Sequence, residues 1–419
     1  MTTAITIGMI IIYVAIMMGI GVYTARQTRS VSDFVLGSHS VGSWLTAFAY
    51  GTSYFSAVVF IGYAGQFGWT YGVSAAWVGI GNALLGSLLA WIVLGRRTRI
   101  MTQSLGAKTM PEYFEKRWNS KGLKIAAALI VFVFLIPYTA SVYNGLSRLF
   151  NMAFQIESEG AYKIIIIVMA LLTAIYVILG GYAATAINDF IQGIVMLIGI
   201  AAVVICAIQN QGGLTSALAA LGEIEVNGKT NTLNSVFGPD PLNLLGVVIL
   251  TSLGTWGLPQ MIHKFYAIKS ENDIKKGAVI STVFALIVAG GSYLLGGFDR
   301  LFCTLTEDGS GKTVISTLSN GKPDFDAMIP SLLHTALPDI LIGLVVVLVL
   351  SASMSTLSSL VLTSSSTLTI DLIKPNLKKC SDKKEMLIMR VLIAVFLVIS
   401  VLLAFNKNAS ISTLMSYSW

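Results

Sequence analysis

Apolar runs of about twenty residues, separated by polar stretches, recur from one end of this chain to the other. A helix of that length crosses the hydrocarbon core of a bilayer, about 30 Å thick, and satisfies its own backbone hydrogen bonds. The pattern predicts spans at 5–24, 43–69, 74–94, 124–153, 163–180, 183–207, 244–263, 277–297, 339–372 and 386–405, with an eleventh beginning near 411. The chain stops inside that last run without the basic residues that would close it, so we expect a C-terminally truncated piece of a longer protein. The short alternating segments of a membrane barrel are absent, which leaves an all-α polytopic membrane protein.

Composition agrees with the pattern. The 419 residues are 55% hydrophobic and 11% charged, with a mean hydropathy of +0.78. Soluble domains carry roughly 25% charged residues, so a water-soluble globule is excluded. The net charge of +7 would suggest nucleic acid in a soluble protein; here it reports topology. Basic residues gather in alternate loops: Arg26 and Arg29, eight between 96 and 124, then Lys264, Lys269, Lys275 and Lys276, then six between 374 and 390, twenty of the 27 in all. The positive-inside rule makes these loops cytoplasmic and sets the N-terminus outside. The expected location is the plasma membrane, of the bacterial inner-membrane kind.

Residues able to carry chemistry are few. Cys206, Cys303 and Cys380, like His39, His263 and His334, are scattered without metal-ligand spacing. No nucleophile stands with a base and no phosphate loop appears, so an enzyme is not expected. Three features stand out. The second span contains Gly51, Gly62 and Gly65, and the seventh contains Gly254, Gly257 and Pro259; each is the first of a set of five once the opening helix is set aside. Such interruptions at matching places point to an inverted-repeat transporter, in which unwound backbone offers carbonyls to an ion. The plainer alternative is that membrane helices tolerate Gly and Pro for packing.

In the ninth span, positions 352, 355, 356 and 359 share one helical face and present three hydroxyls within two turns. That face suits a hard monovalent cation, and composition alone suits a small-residue helix interface somewhat better. Asp189, about two turns into the sixth span, is the only acidic residue clearly inside an apolar run. An intramembrane carboxylate needs a partner. No basic residue is available in the neighbouring spans, so a bound cation is the expected one.

The residues around these features resemble the sodium/solute symporter family. Gly180–Gly181–Tyr182, Ala183, Asn188–Asp189 and Gln192 are similar to its first signature. Ser351–Ala352, leading to Ser355–Thr356, Ser358–Ser359, Ser364–Ser365 and Asp371, is similar to its second. Thr109, Pro111, Glu112, Tyr113 and Arg117, with Pro259–Gln260 running into Lys264–Phe265 and Lys269–Ser270–Glu271, extend the likeness over nearly the whole chain.

The resemblance implies a leucine-transporter-like fold of five plus five helices in inverted repeats, preceded by one extra helix at 5–24. A single transmembrane domain, 1–419, would hold a first repeat at 43–207 and a second at 244–419 with its last core helix incomplete. It further implies a sodium site built from the backbone carbonyls of Thr52, Phe55 and Ala352 and the hydroxyls of Ser355 and Thr356. Some members have a second sodium site, whose pattern is met by Asp189 with Ser355, Ser358 and Ser359; one and two ions per cycle both remain open. By the same analogy the solute would be lined by Ser53, Tyr54, Ser56, Asn82, Tyr138, Ser141, Thr251, Thr255 and Trp256. That set has no buried Lys or Arg, so a small neutral, zwitterionic or monocarboxylate solute fits better than a dianion. The stretch from Ser53 to Gly62 looks more like the pantothenate and monocarboxylate branches than the sugar branch.

The expected activity is sodium-coupled import of a small organic solute (a monocarboxylate, a pantothenate-like molecule or an amino acid) by alternating access, with a sugar as the alternative substrate. Sodium serves as the coupling ion and no cofactor is expected. The expected partners are the solute, the ion and the lipid bilayer, with neither nucleic acid nor an obligate protein partner. From another class, the membrane part of a sensor kinase can carry a symporter-like domain; a long soluble extension in the full-length protein would mark that case.

Overall fold

The computed structural model describes residues 2–418 other than 27, 29, 38–40, 156–157, 308, 310, 319–320, 378–380 and 406–409. Arg29, His39, Lys378, Lys379 and Cys380, which entered the readings above, lie outside the described residues.

Among the described residues, seven helical stretches are long and apolar enough to cross a membrane, or eight if the bent pair Pro241–Gly257 and Pro259–Ala267 is one span. Two of the seven, Val58–Leu105 and Gly160–Asn210, run to 48 and 51 residues. Straight, each would exceed about 70 Å, more than twice the hydrocarbon thickness. Each is divided at a glycine with positive φ, Gly72 at 62° and Gly181 at 56°. At Gly181 a Cβ would also lie 2.6 Å from the Phe34 carbonyl oxygen. An L side chain is therefore excluded both by conformation and by space, and the chain breaks where the apolar pattern separates the fifth and sixth spans.

The elements that build the site are α1 (Thr2–Ala25), α2 (Ser43–Tyr54), α3 (Ala64–Tyr71), α4 (Lys121–Phe154), α5 (Glu159–Asn210), α6 (Pro241–Leu253), α7 (Pro259–Ala267), α8 (Glu271–Gly296), α9 (Asp339–Thr367) and α10 (Asp382–Ala404). α9 is the central post. It is buried at every position from Val345 to Thr367 and packs on α1, α2, α4, α5 and α10. A helix enclosed on all sides carries no amphipathic stripe, so its hydroxyls face neighbouring helices. By contrast α10 exposes Leu387, Val391, Val395, Val398 and Leu402, an apolar stripe of helical spacing suited to lipid. α3 and α8 cross at Gly68 and Gly296, whose backbones approach so closely that a side chain on either would collide with the other helix.

Polar networks tie the two ends of the bundle. On the face carrying the basic loops, Thr109 Oγ1 accepts from the Glu112 amide (3.2 Å) and donates to Asp371 Oδ2 (2.7 Å), joining the short helix Met110–Trp118 to the segment after α9. Lys124 lies 2.8 Å from Glu115 and 3.8 Å from Asp371. At the opposite face Arg148 pairs with Asp324 at 2.7 Å and Asp326 at 3.8 Å, and Asp326 accepts from the Ile411 amide at 2.9 Å.

Candidate functional site

The second span breaks, but at Phe55 and Ser56 and not at its glycines; Gly51 lies inside α2, against the Phe284 ring. Phe55 turns extended (φ −98°, ψ 122°) and the ladder restarts at Ser56. The Ser56 carbonyl accepts from Val59 (3.1 Å) and Phe60 (3.0 Å), and its hydroxyl from the Val58 amide (3.2 Å). In an unbroken helix the Val59 amide would serve the Phe55 carbonyl. Here that carbonyl is released for another partner. The seventh span breaks as its sequence indicates: α6 ends at Leu253, a tight turn covers Gly254–Gly257, Leu258 is extended, and Pro259 opens α7 at an angle of 53°.

α9 lies across the first break. Thr356 Oγ1 is 3.1 Å from the Ala352 carbonyl and 3.5 Å from that of Thr52. Ser355 Oγ donates to Thr52 Oγ1 at 2.8 Å, and Thr52 Oγ1 donates to the Phe48 carbonyl at 2.8 Å. All of these groups, with Phe55, are buried. The structure thus gathers Thr52, Ala352, Ser355 and Thr356, with the freed Phe55 carbonyl three residues along from Thr52. Oxygens 3.1–3.5 Å apart have the spacing of ligands that share one hard cation at roughly 2.4 Å.

Around Asp189 one expectation is corrected. Its carboxylate is not without a basic neighbour: Lys264 Nζ lies 3.6 Å from Asp189 Oδ2, with both side chains almost wholly buried. Lys264 belongs to α7 and does not stand in the basic loop with which its charge was counted. Reading the span as ending at His263 put Lys264 just outside it; Pro259 opens a short helix that carries the residue inward. Burial is not confined to that carboxylate: Asp299, Asp326, Asp371 and Glu385, which lie at span edges or in loops, are buried too.

The Lys264 ammonium donates to Ser359 Oγ at 3.0 Å and sits 5.3 Å from the centre of the Tyr182 ring. Ser359 Oγ is in turn 3.0 Å from Ser53 Oγ. Ser355 stands beside the Asp189 carboxylate, whereas Ser358 donates to the Ser355 carbonyl of its own helix at 2.8 Å.

The expected solute residues divide. Tyr54, Asn82, Tyr138, Thr251 and Thr255 line one enclosed gap together with Val58, Val59, Tyr63, Leu258, Tyr293 and Met415. The remaining four do not: Ser53 meets Ser359, Ser56 caps the break, Ser141 donates to the Tyr138 carbonyl, and Trp256 donates to the Leu85 carbonyl. Tyr293 and Met415 were missed because neither lies near a break or a motif; only packing brings them to the gap. Its volume is about 10 Å³, room for one water, so the cavity is closed in this structure. Tyr54 donates to the Thr251 carbonyl at 2.8 Å, and Asn82 Oδ1 accepts from Thr251 and Ser252, both at 3.1 Å, so the walls are bonded to one another across the two breaks.

Two bundle helices broken at matching places, a buried hydroxyl-rich helix across the first break, and an uncharged cavity between them define a secondary transporter of the inverted-repeat class. The chain belongs to the sodium:solute symporter family, whose model matches residues 34–419. It is 31% identical over 421 aligned residues to the sodium/proline symporter of Staphylococcus aureus strain JH9, an alignment covering 98% of this chain and 77% of that one. The fold is shared with a Na⁺-coupled sialic acid symporter in a substrate-bound outward-open state (TM-score 0.73, 17% identity, 96% of this chain and 80% of that one). A nucleobase-cation-symport-1 family transporter in a closed conformation with bromovinylhydantoin bound is more distant (TM-score 0.50, 13% identity, 92% and 77%). The chain is accordingly an integral membrane, sodium-coupled solute symporter, a transporter and not an enzyme.

Proposed function

We propose that this symporter imports a small zwitterionic amino acid, with proline the first candidate, alongside Na⁺ held by Thr52, Phe55, Ala352, Ser355 and Thr356. The repeats responsible would be 43–207 and 244–419, in a plasma membrane with the N-terminus outside. The observation that carries the reading is the cavity between the two breaks, whose walls are tyrosines, Asn82, two threonines and aliphatic side chains, with no charged group. A solute of zero net charge enters such walls without leaving an uncompensated charge in the membrane. Its ammonium would meet the faces of the tyrosines that line the cavity. The 31% identical relative named a sodium/proline symporter supports the amino-acid class over the monocarboxylate, pantothenate and sugar classes.

The test is thermal unfolding of the detergent-purified chain in NaCl against KCl at matched ionic strength, with proline, other amino acids, monocarboxylates, pantothenate and sugars added in turn. A sodium-specific rise that grows further with proline is expected; a ligand at a hundred times its dissociation constant adds roughly 2.7 kcal/mol. A further rise with a sugar alone would overturn the solute class, and no difference between NaCl and KCl would overturn the ion assignment.

A further inference from the structure

The membrane interior of this chain holds a lysine that the ion site and the solute cavity leave without a role. Lys264 is among the largest fully enclosed side chains of the protein. A buried ammonium is costly unless it meets a counter-charge, and the bend at Pro259 is what delivers it to one. Its two close polar neighbours are Asp189 Oδ2 and Ser359 Oγ, and Ser355 stands beside the same carboxylate. These three residues belong to the set expected for a second Na⁺.

We propose that the Lys264 ammonium is a tethered substitute for that second ion: it takes the cation position facing Asp189, and the chain binds one Na⁺, not two. The inference rests on the sodium-symport reading above, and concerns its stoichiometry. An ion bonded to Asp189 Oδ2 and Ser359 Oγ would lie within about 5 Å of an ammonium that is 3.6 Å from the first oxygen and 3.0 Å from the second. Two unit charges at roughly 4 Å, at the effective dielectric of a protein interior, repel enough to weaken binding by about three orders of magnitude. One carboxylate neutralises one of the two cations, and the buried acids Asp324, Asp371 and Glu385 pair with Arg148, Lys124 and Lys374 instead.

The same contacts join the tethered charge to the proposed Na⁺ site. Ser359 Oγ accepts from Lys264 and shares a hydrogen bond with Ser53 Oγ, and Ser53 follows Thr52, whose carbonyl and hydroxyl face Thr356 and Ser355. Asp189, Lys264, Ser359 and Ser53 therefore link α5, α7, α9 and α2 in one path. With the Asp189–Lys264 pair neutral, one bound Na⁺ and a zwitterionic solute leave a net charge of one to cross the membrane per cycle.

Equilibrium binding of ²²Na⁺ to the purified chain, counted per protein, tests the proposal. The wild type is expected to bind one ion with a hyperbolic isotherm, and Lys264→Arg, which keeps the charge, also one. Lys264→Met should bind two, and adding Asp189→Asn in that background should return the count to one. Two ions on the wild type, or one on a monodisperse Lys264→Met protein, would overturn the inference and leave sodium symport standing. No specific ²²Na⁺ binding to a folded wild type would overturn both. Should Lys264→Met fail to fold, the wild-type and Lys264→Arg counts decide.

Discussion

Thr356 offers one hydroxyl to two carbonyls, Ala352 on its own helix and Thr52 across the break, and a bound Na⁺ would draw on all three oxygens. Thr356→Ala would remove one of the proposed Na⁺ ligands without adding bulk. Losing one such contact costs about 1–3 kcal/mol, so the apparent Na⁺ affinity should fall by roughly 10- to 100-fold. Titrating the melting temperature against NaCl reads this directly; an unchanged midpoint would remove Thr356 from the site. The hydroxyl face of 352, 355, 356 and 359 was legible in the sequence because helical spacing alone puts those positions together. Lys264 was not, because whether a residue at a span's end turns inward depends on the bend before it.

At the scale of elements, the breaks and caps carry the argument. Gly181→Ala would place a side chain at positive φ and against the Phe34 carbonyl, so a loss of about 2 kcal/mol or more and a melting temperature several degrees lower are expected. Thr109→Val would remove both the N-cap of Met110–Trp118 and the bond to Asp371, for a combined loss of about 1–3 kcal/mol. Amide exchange should quicken in that short helix while α9 stays protected; uniform exchange across both would contradict a local cap. Nearly every span was readable from hydrophobic run length. The break in the second span was not, since its glycines serve packing and the chain unwinds at Phe55 and Ser56, where Ser56 supplies a substitute acceptor for the amides.

For the whole molecule, the polar seal at the face opposite the basic loops links chain segments far apart in sequence. Burial lifts the Asp326 carboxyl from the usual range to about 6, with Arg148 and the Ile411 amide opposing that rise. Between pH 4 and 6 the folded protein therefore holds a proton that the unfolded chain releases, and stability should fall as pH rises through that window. Asp326→Asn should flatten this slope, by up to about 3 kcal/mol over the window, in unfolding midpoints measured at pH 4, 5, 6 and 7. A slope unchanged by the substitution would assign the pH dependence to other groups.

The sequence by itself determined a polytopic helical bundle, its spans, its family and the hydroxyl face of α9, because run length and helical period are local properties of the chain. Only the tertiary structure decided which acid meets which base, where the first helix opens, and which side chains close the cavity. Lys264 reaches Asp189 across 75 positions of chain, and Tyr293 and Met415 reach the cavity from helices without a motif. Such meetings follow from crossing angles and bends, which no short window of sequence encodes.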